Sequence, residues 1–401
     1  MTDLEDLREW PIRLAPHYSA FRVSERLLLT GHSHQAWPDR AERGHQQAFS
    51  DAAELVDGKW ERAFAKADRV RRGFARRLGD AHGRYSLSTS THDLVVRFLS
   101  ALDLERRPRI VTTLGEFHSI DRQLRRLAEE WVEVIRVPAH PARDVGERLA
   151  AEVDNRTAAV LTSTVFFESG EIAGSLDAVV RASRRMGAEL LLDVYHQLNV
   201  VPISVDQRGL DDVFIVGGGY KYCQLGEGNC FLRFPEHCRL RPVVTGWFAA
   251  FASLESADLD GPVAYSDDDW RFAGATYEPT SHYRAAEVFD FFDEMELDPY
   301  VLRRISQHQI GRLRRRFDDL DLDPSVVNRD RGVALDGLAG FLALTSRQAG
   351  DIQRGLADRG VLTDHRRHVL RLGPAPYLSD GQLDEAMGHI GEVVRELGSS
   401  G

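Results

Sequence analysis

Residues 188–195 read "AELLLDVY", and residues 212–221 read "DVFIVGGGYK". Each is a short apolar run that ends in polar or glycine residues, which is typical of a buried strand entering a loop. The second run places a lysine, Lys221, directly after three glycines and Tyr220. An isolated lysine in a glycine-rich turn is usually a solvated residue, so its role depends on what lies around it.

The same pattern extends toward the N-terminus of the chain. Short apolar runs alternate with amphipathic stretches of helical periodicity, and this alternation predicts an α/β fold with a mostly parallel sheet wrapped by helices. The predicted strands are 109–114, 132–137, 158–166, 188–195 and 212–219, and the predicted helices between them are 119–131 and 176–187.

The regions on either side complete the predicted organisation. Helices are expected at 61–78 and 93–104 and along a long stretch near 281–318. Residues 319–401 read as a smaller α+β unit, and the first 50 or so residues read as irregular chain that packs on it. We therefore predict a large domain over 57–284 and a small domain made of 1–56 and 285–401.

Composition narrows the classes of function. The 401 residues carry a formal net charge of -11, which argues against a general binder of nucleic acid or of anionic membranes. No apolar run approaches the length of a membrane span, and the acidic N-terminus lacks the apolar core of a signal peptide. The three cysteines, Cys223, Cys230 and Cys238, lack zinc-like spacing, so we predict no metal and a reducing, cytoplasmic location.

Polar residues follow several of the predicted strands and helices at their ends. In an open parallel sheet, ligands gather at the carboxyl ends of the strands. Pyridoxal 5′-phosphate needs a lysine amine, a carboxylate at its ring nitrogen and helix-terminal donors for its phosphate. Lys221 and Asp193 supply the first two. The residues expected at this edge are Ser90, Thr91, Phe117, His118, Ser163, Ser169, Asp193, His196, Tyr220 and Lys221.

Residues 190–234 resemble the core of the fold-type I, class V pyridoxal-phosphate enzymes, and within them they are most similar to kynureninase. The similarity rests on Asp-x-x-His at Asp193 and His196, followed by Tyr-Lys at 220–221. It extends over nearly the whole chain. Four further blocks carry it: "LTGHSHQAWP" (29–38), Gly-Trp at 246–247, "RFAGATYEP" (271–279) and "LRLGPAPYLS" (370–379).

The resemblance implies a role for each matched residue. Lys221 would form the Schiff base and remove the α-proton, Asp193 would hold the ring nitrogen, and Arg371 would bind the substrate carboxylate. Phe117 would stack on the ring if the chain follows kynureninase, whereas desulfurases and aminotransferases favour a histidine, here His118. The remaining implied contacts are Ser90, Thr91, Trp247 and Tyr220 with the phosphate, His196 with the cofactor, Thr276 from a neighbouring subunit, and Ser33, His34 and Trp60 with the substrate.

Two departures from kynureninase fall on the substrate side. The family's N-terminal loop resembles Asn-Ser-Leu-Gly, whereas residues 32–35 are His-Ser-His-Gln. Ile120 stands where the family has an aspartate, with Asp121 one step on. The ring-holding half is therefore kept while the side-chain pocket is altered.

The predicted function is that of a pyridoxal-phosphate enzyme acting on an amino acid, as a homodimer with active sites at the interface. Kynureninase-like hydrolysis of a Cβ–Cγ bond would give alanine and an aryl acid. A class V aminotransferase or a lyase on another amino acid remains open. A cysteine desulfurase would need a cysteine on a small-domain loop, whereas Cys223, Cys230 and Cys238 lie in the predicted large domain. A non-enzymatic regulator would leave the presence of Lys221, Asp193 and Arg371 together unexplained.

Overall fold

A computed structural model describes residues 4–256 and 261–399 of the chain. Within these residues the α-helices are α1 (Leu4–Leu14), α2 (Arg40–Leu55), α3 (Lys59–Leu78), α4 (Thr91–Ser100), α5 (His118–Ala128), α6 (Val145–Glu152), α7 (Asp177–Met186), α8 (Val205–Arg208), α9 (Thr280–Glu294), α10 (Pro299–Asp319), α11 (Ala349–Asp358) and α12 (Asp380–Ser399). The strands are β1 (Leu27–Leu28), β2 (Arg84–Ser88), β3 (Arg109–Thr113), β4 (Glu133–Val137), β5 (Thr157–Ser163), β6 (Glu189–Asp193), β7 (Phe214–Gly218), β8 (Cys230–Phe234), β9 (Leu342–Thr345), β10 (Val361–Leu362), β11 (Asp364–Arg366) and β12 (Val369–Leu372).

In the described part of the chain, seven strands form the main sheet in the order β2-β8-β7-β6-β5-β3-β4. Strands β3 to β7 pair in parallel, while β8 pairs antiparallel with both β7 and β2. All seven residues of β5 are buried, as expected for a central strand of a parallel sheet that is covered on both faces. The predicted α/β fold with a mostly parallel sheet is confirmed.

The predicted parallel strands agree with β3 to β7 to within three residues at each end. The long helical stretch near 281–318 is divided into α9 and α10. Glu296 takes a left-handed conformation with φ 56°, and the Asp298 side chain accepts hydrogen bonds from the backbone of Tyr300 and Val301. Pro299 then occupies the first turn of α10, where its missing N–H costs no hydrogen bond.

The two strands at one edge of the sheet, β2 and β8, had no sequence prediction. Strand β8 carries Arg233, a buried charge in the middle of an otherwise apolar run. Its Nε lies 2.8 Å from Oδ2 of Asp80, and the two side chains are 1% and 0% exposed. Because a charged residue interrupts the apolar pattern, periodicity alone gives a weak signal for this strand.

The prediction that the first 50 residues are irregular is wrong over α1 and α2. Helix α2 packs against α9 with small residues: a Cβ added at Gly44 would lie 2.6 Å from the backbone of Arg284. The residues that α2 buries are Ala41, Gly44 and Asp51. A helix that packs through a glycine and an alanine lacks the stripe of large apolar residues by which amphipathic helices are found in sequence.

The smaller unit contains an antiparallel sheet in the order β11-β12-β9 together with α11 and α12. Strand β1 pairs in parallel with β10, joining Leu27 to Val361, so the N-terminal residues contact this unit as expected. The domain boundaries 57–284, 1–56 and 285–401 stay a prediction. Among the described residues, no helix is long and apolar enough to span a membrane.

Candidate active site

A cavity of about 200 Å³ lies at the carboxyl ends of β5, β6 and β7. Eight residues predicted at this edge line it together, although they come from five separate parts of the sequence. They are Ser90, Thr91, Phe117, Ser163, Asp193, His196, Tyr220 and Lys221. The parallel sheet explains the convergence, because the ends of its neighbouring strands meet at one edge.

Lys221 is buried at the base of this cavity. Its Nζ lies 2.6 Å from Nε2 of His196, and Lys221 and His196 are 6% and 5% exposed. Burial and the charge of Lys221 hold the pKa of His196 well below its usual range. The imidazole is therefore neutral near pH 7, and its Nε2 can accept a hydrogen bond from the lysine amine.

The amine of Lys221 has an unusual proton affinity for a lysine. Burial, together with the guanidinium groups of Arg371 and Arg366, lowers its pKa to about 7 against the opposing carboxylates of Asp193 and Asp364. A lysine with a pKa near neutrality is partly in the free-base form, which is the form that attacks a carbonyl carbon. The surroundings of Lys221 therefore favour the free-base form of its amine.

Asp193 ends strand β6 and is 7% exposed. Its Oδ1 accepts a hydrogen bond of 2.8 Å from the backbone N–H of Tyr195. Burial raises the pKa of this carboxyl, although the Tyr195 N–H and the charge of Lys221 act in the opposite direction. A buried carboxylate is stabilised by a cation placed against it, so Asp193 is suited to a positively charged nitrogen in the cavity.

Aromatic rings surround the amine. Nζ of Lys221 lies 4.9 Å from the ring centroid of Tyr195, 5.7 Å from that of Phe117 and 5.9 Å from that of Tyr220. Across the opening, the ring of His34 stacks on Tyr220 at 4.8 Å and 18°. A flat ligand placed beside Lys221 would meet ring faces on more than one side.

The N-terminus of α4 faces the cavity. Ser90 caps this helix, accepting a hydrogen bond of 3.2 Å from the backbone N–H of Asp93. Thr91, the first helical residue, has a buried Oγ1 with no hydrogen-bond partner within the described chain. A helix start with free N–H groups and an unsatisfied hydroxyl favours an anion.

Arg371 lies on β12 opposite Asp364 of β11, to which it is paired across the hairpin. Its Nε donates to Oδ1 of Asp364 at 2.9 Å, its Nη2 donates to Oδ2, and its Nη1 donates to the carbonyl of Phe167 at 2.7 Å. His32 also contacts Asp364, with Nε2 2.7 Å from Oδ1. The predicted carboxylate clamp is thus already bound to an internal carboxylate.

The other predicted residues lie outside the cavity lining, and their roles stay predictions. His118 is exposed and packs beside Phe167 at 5.4 Å, whereas Phe117 faces the amine. Trp247 is 44% exposed, and Thr276 lines an adjoining cavity. Trp60 packs on three aromatic rings, those of Phe64, Phe248 and Tyr277. The Oγ of Ser33 lies 3.1 Å from Nδ1 of His34.

Three neighbours of the site had no sequence prediction. Tyr195 contacts both Lys221 and Tyr220, Asp364 binds Arg371, and Glu116 lies behind the cavity wall. Glu116 accepts hydrogen bonds from Thr113 and from Ser163, and burial raises its pKa to about 7. For Asp364, the sequence offers one indication, which is its short spacing to Arg371 within a hairpin.

Residues 4–256 and 261–399 contain no group of three or more histidine, cysteine or acidic side chains placed to hold a metal ion. The clustered polar groups of the cavity are instead an amine, an imidazole, a carboxylate and hydroxyls. This donor set is suited to an organic ligand with an anionic end and a basic nitrogen.

No family model matches the chain. Among curated proteins it is 21% identical, over 351 residues, to the "Uncharacterized aminotransferase YcbU" of Bacillus subtilis (strain 168), covering 86% of this chain and 88% of that one. It is 30% identical over 183 residues to a kynureninase of Stenotrophomonas maltophilia (strain K279a), covering 43% of this chain and 42% of the kynureninase. The match to kynureninase thus spans less than half of either protein.

Solved structures resemble the chain along nearly its full length. The cysteine desulfurase CsdA of Escherichia coli superposes with a TM-score of 0.79 at 14% identity, covering 96% of this chain and 98% of that one. A C-DES variant with glycine covalently linked to its PLP cofactor gives 0.80 at 14% identity, covering 94% and 98%. The chain therefore has the α/β fold of the fold-type I pyridoxal-phosphate enzymes, with a seven-stranded, mainly parallel sheet and a smaller C-terminal unit.

Proposed function

We propose that this protein is a pyridoxal-phosphate enzyme that acts on an amino acid. The observation that carries the proposal is the buried Lys221, whose amine lies 2.6 Å from a neutral imidazole in a cavity that also holds Asp193. A structural role does not account for a lysine whose pKa burial lowers to about 7 at the end of a parallel strand.

The groups around Lys221 fit this cofactor. Thr91 Oγ1 and His196 Nδ1 are buried polar atoms without partners in the described chain, and both belong to residues that line the cavity. The start of α4 offers donors for a phosphate, and Phe117 offers a ring face. When bound, pyridoxal phosphate would serve as the electron sink that lets a bond at the α-carbon of an amino acid break.

The chain's own residues then take distinct tasks. Lys221 in its free-base form would hold the cofactor through its amine, and the same amine would accept the α-proton of the substrate. Asp193 would keep a proton on the ring nitrogen, because its buried carboxylate is stabilised by a neighbouring positive charge. His196 keeps the Lys221 amine oriented through the 2.6 Å contact.

For the reaction type, we propose the aminotransferase or lyase chemistry of class V enzymes in preference to hydrolysis. Support comes from the relative named as an aminotransferase, since the match to it extends over 86% of this chain and 88% of that one. A second candidate is kynureninase-like cleavage of a Cβ–Cγ bond. It is supported by the higher identity, 30%, of the partial match to a kynureninase.

Desulfurase chemistry is disfavoured despite the similarity of fold. A desulfurase needs a reactive thiolate, and thiolates form where a thiol is accessible and its pKa is lowered. Cys223, Cys230 and Cys238 are all buried. Burial raises the pKa of Cys223 to about 12 and that of Cys238 to about 11, and it also raises the pKa of Cys230.

We also propose that two copies associate, as a homodimer. Large apolar side chains are exposed within residues 243–251 and at Val263: Val243 is 83% exposed, Val263 64%, Phe251 46% and Trp247 44%. Exposed apolar residues grouped in this way mark a surface that another protein covers. The predicted cytoplasmic location stays a prediction.

Reduction with borohydride tests the cofactor proposal at one residue. The chain has three lysines, Lys59, Lys66 and Lys221. Borohydride treatment of the protein loaded with pyridoxal phosphate should fix the cofactor's mass to the peptide that contains Lys221. Lys221→Ala should lose this modification, and Lys66→Ala should keep it. Label on Lys59 or Lys66 alone, or no label at all, would refute the proposal.

Product analysis tests the reaction type. The loaded protein is incubated with single amino acids, with and without pyruvate as the amino acceptor. Formation of alanine that depends on pyruvate indicates transamination, and ammonia or a cleaved side chain without an acceptor indicates a lyase. Release of alanine and anthranilate from kynurenine, independent of pyruvate, would favour the second candidate instead.

A further inference from the structure

A second cavity, of about 810 Å³, lies where α1, the end of α3 and the start of α10 meet. Among the described residues, none lines both this cavity and the candidate active site. Its volume falls within the range of roughly 300–1,000 Å³ that is usual for sites of small organic ligands. The proposed function makes no use of this space, so the residues in its wall need an account of their own.

Arg77 is a buried cation in the wall of this cavity. It is 3% exposed and forms no ion pair within residues 4–256 and 261–399. Its Nη1 donates to the carbonyl of Gly73 at 3.2 Å, while its Nε is buried without a partner in the described chain. The rings of Phe289 and Phe292 lie 4.4 and 5.3 Å from its guanidinium carbon. A buried charge without a counter-ion is costly, so an anion in the cavity would stabilise this side chain.

Two exposed arginines line the same cavity. The guanidinium carbon of Arg13, on α1, lies 4.3 Å from the ring centroid of Trp10, a contact that uses none of its N–H donors. Arg304, on α10, forms no hydrogen bond or ion pair with any described residue. Both guanidinium groups therefore keep their donors available to a ligand.

The carboxylates around the cavity do not cancel its positive charge. Asp293 pairs with both Arg69 and Arg76, and Asp298 accepts hydrogen bonds from two backbone N–H groups at the start of α10. Glu296 is the third carboxylate in the lining. The four lining arginines and Arg69 carry five positive charges against three negative ones, which leaves an excess of two. A small excess of this kind suits a ligand with one negative charge better than a polyanion.

Aromatic rings supply much of the remaining wall. Trp10 and Phe292 are buried, and Tyr300 is 61% exposed beside them. Aromatic side chains offer large apolar faces to a flat ligand. A guanidinium binds a carboxylate through two parallel hydrogen bonds, a geometry that favours this anion at an arginine.

We propose that this cavity is a binding site for a small carboxylate that carries a flat ring. The carboxylate is bound by Arg77 in the buried wall together with Arg13 and Arg304 in the exposed wall, and the ring packs on the aromatic side chains. The site is separate from the candidate active site and does not depend on the proposed function.

A comparison of phenylacetate with phenylacetamide tests the site, since the two have the same ring and differ in charge. Binding of each to the protein loaded with pyridoxal phosphate is measured by isothermal titration calorimetry. We expect phenylacetate to bind at least about tenfold tighter, because charge-assisted hydrogen bonds to a carboxylate contribute that much. Phenyl phosphate, which carries more charge on a similar ring, should bind no tighter than phenylacetate.

Variants of the lining arginines locate the binding. Arg77→Met removes the buried charge and should reduce the preference for phenylacetate to within about twofold. The double variant Arg13→Gln/Arg304→Gln changes two exposed side chains and should weaken phenylacetate binding about threefold or more, as expected from the loss of exposed charged contacts. Arg72→Gln/Arg315→Gln is the matched control, because both arginines are exposed on α3 and α10 and lie outside the cavity lining.

Arg371→Gln distinguishes this cavity from the candidate active site, and its affinity for phenylacetate should equal that of the wild-type protein. The proposal is overturned if the wild-type protein lacks the tenfold preference or if phenyl phosphate binds tighter. It is also overturned if affinity falls in Arg371→Gln or in the control but not in the variants of the lining. Should Arg77→Met fail to fold, the double variant decides, and wild-type affinity in that variant would refute the site.

Discussion

The proposed cofactor side and the proposed substrate side of the site are built in different ways. On the cofactor side, Asp193, His196 and Lys221 lie within 29 consecutive residues, at the ends of two neighbouring parallel strands. On the substrate side, His32 and Asp364 meet although they are 332 positions apart in the sequence. The first side is fixed by the sheet and the second by a contact between a loop and a hairpin. A local motif can therefore be retained while recognition of the substrate changes.

The largest expected effect lies on the cofactor side. Asp193→Asn should keep the cofactor but lower turnover on the order of 10²- to 10³-fold, because a neutral amide does not keep the ring nitrogen protonated. Glu189→Gln, at the other end of the same strand, is the control and should leave turnover unchanged. Near-normal turnover in Asp193→Asn would show that another group faces the ring nitrogen.

The second prediction concerns the pH at which Lys221 reacts. Its pKa is lowered to about 7, so its free-base fraction falls about tenfold for each pH unit below that value and levels off above it. The rate at which the cofactor-free protein takes up pyridoxal phosphate should follow this fraction and rise with pH toward a plateau. Stopped-flow absorbance from pH 5.5 to 8.5 measures that rate. Since the carboxylate of Asp193 raises the pKa of Lys221, Asp193→Asn should move the midpoint to lower pH. A midpoint above pH 9 would contradict the burial of the amine.

The third prediction tests the internal pairing on the substrate side. Asp364→Asn should lower the free energy of unfolding by about 2 kcal/mol at pH 7, the size of a charged hydrogen-bond contribution. The pKa of Asp364 is lowered on folding, so its contribution is present above the unfolded pKa of about 3.9 and is lost as pH falls below it. The difference in the free energy of unfolding between Asp364→Asn and the wild-type protein, measured with urea, should therefore be smaller at pH 3 than at pH 7.

Asp319→Asn serves as the control for that measurement. Its side chain is 68% exposed and lies 4.0 Å from Arg316, a surface pair that should contribute less than about 1 kcal/mol. If Asp364→Asn were no more destabilising than this variant, Asp364 would not be a firm partner of Arg371.

The smallest effect should come from the opening of the cavity. His34→Ala removes the ring that stacks on Tyr220 and should weaken ligand binding by a few-fold, as expected from the roughly 0.5–1.5 kcal/mol of an aromatic pair. His82→Ala, at an exposed histidine that does not line the cavity, should have no such effect. Spectral titration of the loaded protein measures both, and equal affinities in the two variants would exclude a role for the stacked ring.

The extent to which sequence predicted the structure follows the same division. Strands β3 to β7 were found because each is an apolar run with clear ends, and Asp193 and Lys221 followed from their positions at those ends. Helix α2 was missed because it packs through Gly44 and Ala41, and β8 because it buries Arg233.

On the substrate side, the sequence predicted that Arg371 binds the substrate carboxylate, but it did not indicate which residue pairs with Arg371. The bidentate contact with Asp364 depends on the hairpin register that places the two residues opposite each other. The contact with His32 depends on a loop from the other end of the chain. Neither kind of proximity is encoded in periodicity or in the spacing of a motif.

The distance along the chain between Leu27 and Val361, which pair in β1 and β10, also has a consequence for how the protein is made. A ribosome delivers the residues of the cofactor side, through Cys230, well before it delivers Asp364 and Arg371. Contacts between such distant residues form late, because closing a long loop is entropically costly. The nascent chain can thus assemble its large sheet first, while the N-terminal segment waits for a hairpin synthesised more than 300 residues later. The proposed substrate side is then the last part of the protein to be completed during synthesis.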